Sequence, residues 1–408
     1  MERRNDNKMG CGPMTLALPV LVLMIACGIS EVGNWTEDAT DDFVQGVIDP
    51  MRTACCVTAV EYPGGYDWQN GKVGSNPRCS LVVFADGVPA MKFPAGDGYE
   101  ISTDPDLHRM SDGHLYTFFS KNGATVVKKD GKPLYRYNGD EILEDMLIRD
   151  GDIYTLAGRA SGGFSYRKNG QPLVERYSGD LLGKMWEDGD SVCFAFTHSV
   201  AVTDGLELRY YVSVDAEVSQ VEFDKEAQKV WDLRSRKGKP VSLVSSLRWN
   251  GLTVCTEEYS RRILLPINAE ILSCAMFDAG SQIGSECVYS YPDGSFESGL
   301  WVEGAEYIRF ETGRSISAVL YSDGKACCVL NPDDDEGIIF DGTDLYDMPA
   351  GYYCAGGQAL AMSDGHLYVA LSSRQGDKPV VWHADKADTL NMNGYLCSVY
   401  FTGTTSPR

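Results

Sequence analysis

The sequence predicts an all-β fold: a β-propeller of four-stranded antiparallel blades, eight blades being favoured and seven the alternative. Three observations predict it. The hexapeptide Ser-Asp-Gly-His-Leu-Tyr stands at Ser111–Tyr116 and again at Ser363–Tyr368, 252 residues on, with looser versions at Arg149–Tyr154, Glu187–Gly189, Trp249–Gly251 and Ser322–Gly324. With Gly113, Gly151, Gly189, Gly251, Gly284, Gly324 and Gly365 as a ruler, the steps are 38, 38, 62, 33, 40 and 41 residues. A strand-rich period of this length is that of a propeller blade. Finally, the chain ends divide one blade between them: three strands at the start and one at the finish.

Taken in order, the chain opens with an address. Arg3, Arg4 and Lys8 precede the apolar run Leu16–Ala26, which is too short to span a bilayer comfortably and fits a signal peptide. Ala26 followed by Cys27 resembles the lipobox of bacterial lipoproteins, with Met24 where leucine is usual. The resemblance implies cleavage before Cys27 and a lipid on its thiol, so residues 1–27 are read as signal peptide and lipobox. The acidic stretch 28–50 is read as a tether, and 51–408 as a single propeller domain.

The domain starts with strands at Cys55–Tyr62, Ser80–Ala85 and Val88–Phe93. The unit Leu107–Tyr137 and the unit Glu144–Tyr177 each hold four short runs rich in β-branched and aromatic residues. In the second, Asp150-Gly151, Gly162-Gly163 and Asn169-Gly170 separate the runs; Asn-Gly supplies the two positive φ angles of a type I′ hairpin. The wide 62-residue step implies an insertion around Asp215–Lys239, where Asp224–Leu233 is the one helix-prone segment. Whether Trp249-Asn250-Gly251 opens a true unit decides eight blades against seven. Tyr395–Phe401 is an orphan strand that completes the first blade and closes the ring. Sheets this small cannot bury a core alone, so they must stack. A pair of β-sandwiches is the competing fold.

Composition narrows function. A formal charge of −22 over 408 residues repels phosphate backbones, so no nucleic-acid partner is expected. Of 13 cysteines, 11 remain after Cys11 and Cys27 are set aside, an odd number that favours buried thiols. A bridge from Cys55 or Cys56 to Cys397 in the closing blade is conceivable, with Cys354 the weaker partner. Cysteine at Cys287 and Cys327 stands where Tyr116 and Tyr154 stand in other units, three residues after the ruler glycine; Cys193 and Cys255 fall one place later.

Chemistry-bearing motifs are sparse. His114 and His366 recur with the repeat and read as structural; His108, His198 and His383 form no metal pair. No zinc spacing, nucleophile elbow or phosphate loop occurs, so neither metal nor cofactor is expected. Asp333–Gly337 reads as a solvated turn rather than a calcium loop. Ser290–Phe296 resembles the Asp-box turn of sialidase-type propellers but stands in a single copy with shifted spacing, and reads as a hairpin turn. Tyr66 and Trp68, in the Gly-rich connection Pro63–Trp68, are the candidate ligand-binding residues, able to stack on sugars or to pack under their loop.

The strand Gly151–Gly158 followed by the hairpin Tyr166–Leu173 resembles the repeats of uncharacterised β-propeller lipoproteins of Bacteroides-type bacteria. The likeness holds over Leu107–Tyr177 and Met362–Trp382 and is weak across Val200–Arg262. It implies a propeller and an envelope address and assigns no activity, and the lipobox adds membrane contact through the N-terminal lipid only. The expectation is therefore an outer-membrane lipoprotein that binds or scaffolds a protein or glycan of the envelope. A polysaccharide-acting hydrolase or lyase is the alternative, and a purely structural member of an envelope complex a third reading. The hydrolase would need two carboxyls converging on one channel mouth.

Overall fold

Tight turns in left-handed backbone organise the chain. Asp112–Gly113, Asp150–Gly151, Lys237–Gly238, Asp323–Gly324 and Asp364–Gly365 all have positive φ, as a type I′ turn demands, and each joins the first strand of a blade to its second. The computed structural model describes residues 54–402 apart from 65, 68–71, 74–78, 96–99, 102–106, 122–123, 138–139, 177, 203–204, 224–226, 247–249, 312–314 and 332–336. These residues build an eight-bladed β-propeller of four-stranded antiparallel sheets.

Blade three is the plainest: Glu141–Arg149, Asp152–Arg159, Phe164–Lys168 and Gln171–Arg176. Blade two spans 100–137, and blades four to eight span 180–221, 227–264, 270–310, 316–347 and 352–389. Blade one is the closure. Its inner strand Gly394–Phe401 pairs with Cys55–Glu61, which pairs with Ser80–Ala85 and then Val88–Pro94. The register runs from Cys55 opposite Phe401 to Glu61 opposite Gly394. Beyond it, Ala54 N donates to Thr402 Oγ1 at 3.0 Å and Thr402 N donates to the Ala54 carbonyl at 3.1 Å.

Two sequence expectations are corrected. Gly251 and Gly284 are not blade turns. Gly251 opens the third strand of blade five, and Gly284 lies inside Gln282–Ser290 directly opposite Phe277. A Cβ on Gly284 would fall 2.1 Å from the Phe277 ring, so this glycine makes room for an aromatic neighbour rather than a bend. The true turns are Lys237–Gly238 and Gly280–Ser281, which bring the steps to 38, 38, 49, 42, 44 and 41 residues. Nor do the described residues of 215–239 form a helical insertion. Asp215–Ala216 is a hairpin turn, and Ala227–Arg236 is the inner strand of blade five. Its Lys-Val-Trp-Asp-Leu segment is pinned by Leu233, fully buried against Ala195 and Val212 of blade four, and packing overrides local helix propensity.

Cores lie between blades, not within them. Leu156, Phe164 and Tyr166 of blade three pack on Phe194 and Phe196 of blade four, with ring centroids 4.8 Å apart for Phe164–Phe196 and for Tyr166–Phe194. Blades five and six share Leu243, Ile263, Tyr289 and Trp301. Blades seven, eight and one share a cluster around Val329, Leu371 and Leu396. A blade's apolar faces are therefore covered only when both neighbours are present.

A second device recurs at the turn between the third and fourth strands. Asp86, Asp130, Asn169, Asp215 and Glu303 hold positive φ there. Their side-chain oxygens accept the N–H of Cys55, Leu115, Ile153, Val192 and Ile283 at 2.9–3.1 Å. Their own N–H groups return to the carbonyls of the same five residues at 2.8–3.0 Å. The carboxylate or amide oxygen of the turn residue thus fixes the outer hairpin to the second strand. His114 joins this clasp through Nδ1, 2.7 Å from Asp130 Oδ2.

Candidate functional site

The topology sorts connections by face. Turns from first to second strand and from third to fourth are tight and gather on one face. Connections from second to third strand and from blade to blade gather on the other and vary widely, from two residues at 122–123 and 203–204 to the long segment 62–79. Long connections on a rigid scaffold are where binding residues concentrate.

Three features stand out, the first two on this loop face. The first is a hollow of about 270 Å³ between blades eight and one, lined by Pro63, Gly64, Tyr353, Ser373, Gly394 and Tyr395. The predicted aromatic connection therefore begins on its rim. Tyr66 pairs through its backbone with Val73, while the Tyr66 ring and all of Trp68 lie outside the described residues, as does Cys27. Tyr62, at the foot of the connection, is buried beside Tyr395 with centroids 6.1 Å apart.

The second is a projecting hairpin in blade four. Ser191–Val202 and Gly205–Val214 run twelve and ten residues, longer than blade three's eight and five at the same places. The excess extends beyond the shared core, where Leu206 is 78% exposed, Leu208 49% and Val202 40%. Leu206 lies opposite Ala201 and Leu208 opposite Ser199, so both leucines share one face of the ribbon. Sequence reasoning missed it, because the surplus length was assigned to an insertion.

The third is acidic and inward-facing. Inner strands are irregular: blades three, five, six, seven and one each carry a bulge, and blades four and eight each have a broken inner strand. Asp145 follows the bulge of blade three and is wholly buried. Its carboxylate accepts Met146 N at 2.8 Å, Met185 N of blade four at 2.7 Å and Arg109 Nη2 of blade two at 3.4 Å. The Arg109 guanidinium also reaches Gln358 of blade eight, whose amide oxygen, assigned to face it, accepts from Nε at 2.9 Å and Nη2 at 3.0 Å. Asp232 repeats the arrangement in blade five, accepting Leu233 N at 2.7 Å, Met276 N of blade six at 2.8 Å and Arg234 Nε at 3.2 Å. These acids are bonded as blade-to-blade fasteners.

Glu286 of blade six is the exception. Burial foremost, with the Asp232 charge adding to it and Arg234 opposing, raises its carboxyl to about 7 from an ordinary 4.5. Because the folded chain holds this proton more tightly than the unfolded chain, the contribution is largest below pH 4.5 and is lost as pH rises through about 7. Glu286→Gln should flatten the urea-midpoint profile in that window, removing roughly 1–3 kcal/mol of pH dependence. An unchanged slope would place the titration elsewhere.

The remaining sequence candidates resolve simply. Asp293 Oδ1 accepts Ser295 N at 2.9 Å and Ser295 Oγ at 2.7 Å, so Ser290–Phe296 carries a hairpin turn. Residues 333–336 lie outside the described residues. All eleven described cysteines are free thiols. The bridge from Cys55 or Cys56 to Cys397 is not formed: Cys55 lies opposite Phe401 and Cys56 opposite Tyr400, about 10 Å of strand away from Cys397. Cys287 and Cys255 also leave the positions assigned to them, since their ruler glycines are not turns. Among the described residues no cluster of His, Cys, Asp or Glu suits a metal, and no helix is long and apolar enough to cross a membrane.

No family model and no curated protein matches the chain. Solved structures similar to it include BamB from Moraxella catarrhalis, with 12% identity over 68% of this chain and 96% of that one at a TM-score of 0.37. Sqt1 of Saccharomyces cerevisiae gives 11% identity over 74% and 87% at 0.44, and Drosophila Semaphorin 1b gives 9% over 86% and 88% at 0.39. Overlap this loose adds nothing to the propeller that the strand pairing already defines.

Proposed function

We propose that the chain is a lipid-anchored propeller of the bacterial cell envelope, an outer-membrane lipoprotein resembling those of Bacteroides-type bacteria, and that it binds or scaffolds a protein through its loop face. The observation that carries the binding role is the blade-four hairpin, which holds Leu206 and Leu208 in solvent on one face of a two-stranded ribbon. Isolated exposed apolar residues are ordinary; a paired set lifted clear of the core marks an interaction surface. Aliphatic side chains suit a protein partner, whereas sugars are gripped by aromatic rings. The address rests on Leu16–Ala26 and Cys27. A hydrolase reading finds less support. Its two carboxyls must face a common solvent space, yet Asp145 is sealed from water and Asp232 is bonded to three donors.

Both halves are testable in one system. In a bacterial host, Cys27→Ala should abolish palmitate labelling and release the protein from membranes. Captured on beads through a terminal tag, the soluble chain starting after Cys27 should retain envelope proteins that the double variant Leu206→Glu, Leu208→Glu loses at least tenfold, with its urea midpoint unchanged. Persistent labelling removes the anchor; equal capture by both proteins removes the hairpin from the interface.

A further inference from the structure

We propose that Cys274 and Cys287 are a modification site: a dithiol that closes to a cross-strand disulfide in blade six when the folded chain meets a low-molecular-weight disulfide. Cys274 lies on the inner strand Glu270–Ala279 and Cys287 directly opposite on Gln282–Ser290. Directly opposed residues of an antiparallel pair have Cα atoms about 4.5–5.5 Å apart, inside the span a disulfide bridges without backbone movement. The side chains already point at each other. Cys274 Sγ lies 2.7 Å from Cys287 Sγ, closer than two unbonded sulfurs rest. Neither strand end need move, because the hairpin that carries them is closed by the turn at Gly280–Ser281.

Access is one-sided, and this sets the order of events. Cys287 is 1% exposed, whereas Cys274 is only partly buried. The Cys274 thiolate attacks one sulfur of the oxidant RSSR, forming a mixed disulfide and expelling RS⁻, which takes up a proton. The Cys287 thiolate then attacks the Cys274 sulfur, expelling the second RS⁻. Two protein thiols and one RSSR give one protein disulfide and two RSH, the protein being oxidised by two electrons. Burial and then the neighbouring Cys287 sulfur hold the Cys274 thiol far above its usual value, with the Lys229 charge opposing, so closure is slow at neutral pH and faster in alkali.

The closed form ties the inner strand of blade six to its neighbour two residues before Met276, whose N–H is gripped by Asp232 of blade five. Oxidation therefore stiffens the seam between two blades at the propeller's centre.

The native chain, reduced and then incubated with oxidised glutathione at pH 8.5, should lose two hydrogens of mass and two alkylatable thiols. Peptide mapping should join the segments holding Cys274 and Cys287. Cys287→Ser should trap glutathione on Cys274, and Cys274→Ser should leave Cys287 unmodified. If both cysteines of the wild-type chain remain alkylatable after denaturation, or either is found joined to another cysteine, the assignment fails, whatever the folding of the variants.

Discussion

Asp145→Ala should cost about 3–5 kcal/mol of stability, the largest effect of any polar substitution in the propeller, read as a fall in the urea midpoint. The carboxylate is fully buried and serves three blades. Removing it strands the N–H groups of Met146 and Met185 in the interior and takes a carboxylate from beside Arg109. Each buried N–H left without an acceptor costs roughly 1–3 kcal/mol, and two are left at once. Asp145→Asn keeps one acceptor oxygen but turns an NH₂ toward a backbone donor, so it should recover about half the loss. Asp232→Ala removes the equivalent group from a site whose side chain is 15% exposed rather than 1%, and water replaces part of what is lost. The expected order is therefore Asp145→Ala, then Asp232→Ala, with Asp145→Asn no worse than Asp145→Ala. A fall of less than about 1 kcal/mol for Asp145→Ala would mean the acid does not fasten blades.

These fasteners show what the sequence carries and what it hides. The meander is legible because turn chemistry is local: Asp150-Gly151 and Asn169-Gly170 demand positive φ wherever they occur, and the strands between them follow. Ring closure is legible because Tyr395–Phe401 has no partner within its own unit. Function-bearing groups are not local. The acceptor at Asp145 is matched to an N–H forty residues later, and backbone N–H groups leave no mark on a sequence. A trace exists only once the turns are placed correctly: Asp145 stands six residues before Gly151 and Asp232 six before Gly238. Counting from Gly251 erases that match. The same error hides the thiol pair, since Cys274 and Cys287 each stand six residues from the nearer residue of the turn Gly280–Ser281 but are unrelated about Gly284. Gly284 misleads because a strand glycine opposite Phe277 and a turn glycine look alike in sequence; space and backbone freedom are different uses of the same missing Cβ.

Truncation before Gly394 should be the most damaging change of all. The lost strand carries Tyr395, Leu396 and Val399, each 3% exposed or less, and fully burying such side chains contributes about 1.5–3 kcal/mol apiece. The sum approaches the ~5–15 kcal/mol that holds an ordinary domain together. It also strips the hydrogen-bonded ladder from Cys55–Glu61, leaving an apolar strand edge that invites aggregation. The truncated chain should be insoluble or protease-sensitive throughout. If the latch matters as a contact and not as a chain end, moving the ends must restore it. Ala54 and Thr402 already exchange hydrogen bonds, so Asn-Gly inserted between Thr402 and Ala54 makes an ordinary type I′ hairpin of the latch. New ends opened in the exposed turn at Glu257–Glu258 then leave only Ser260–Leu264, an outer strand, to be held non-covalently. This circular permutant should fold with a urea midpoint no lower than the parent's, because the strand freed is exposed at four of its five residues. A truncated chain that stays monomeric and cooperative, or a permutant that fails to fold, would show that the ring is held somewhere other than at its seam.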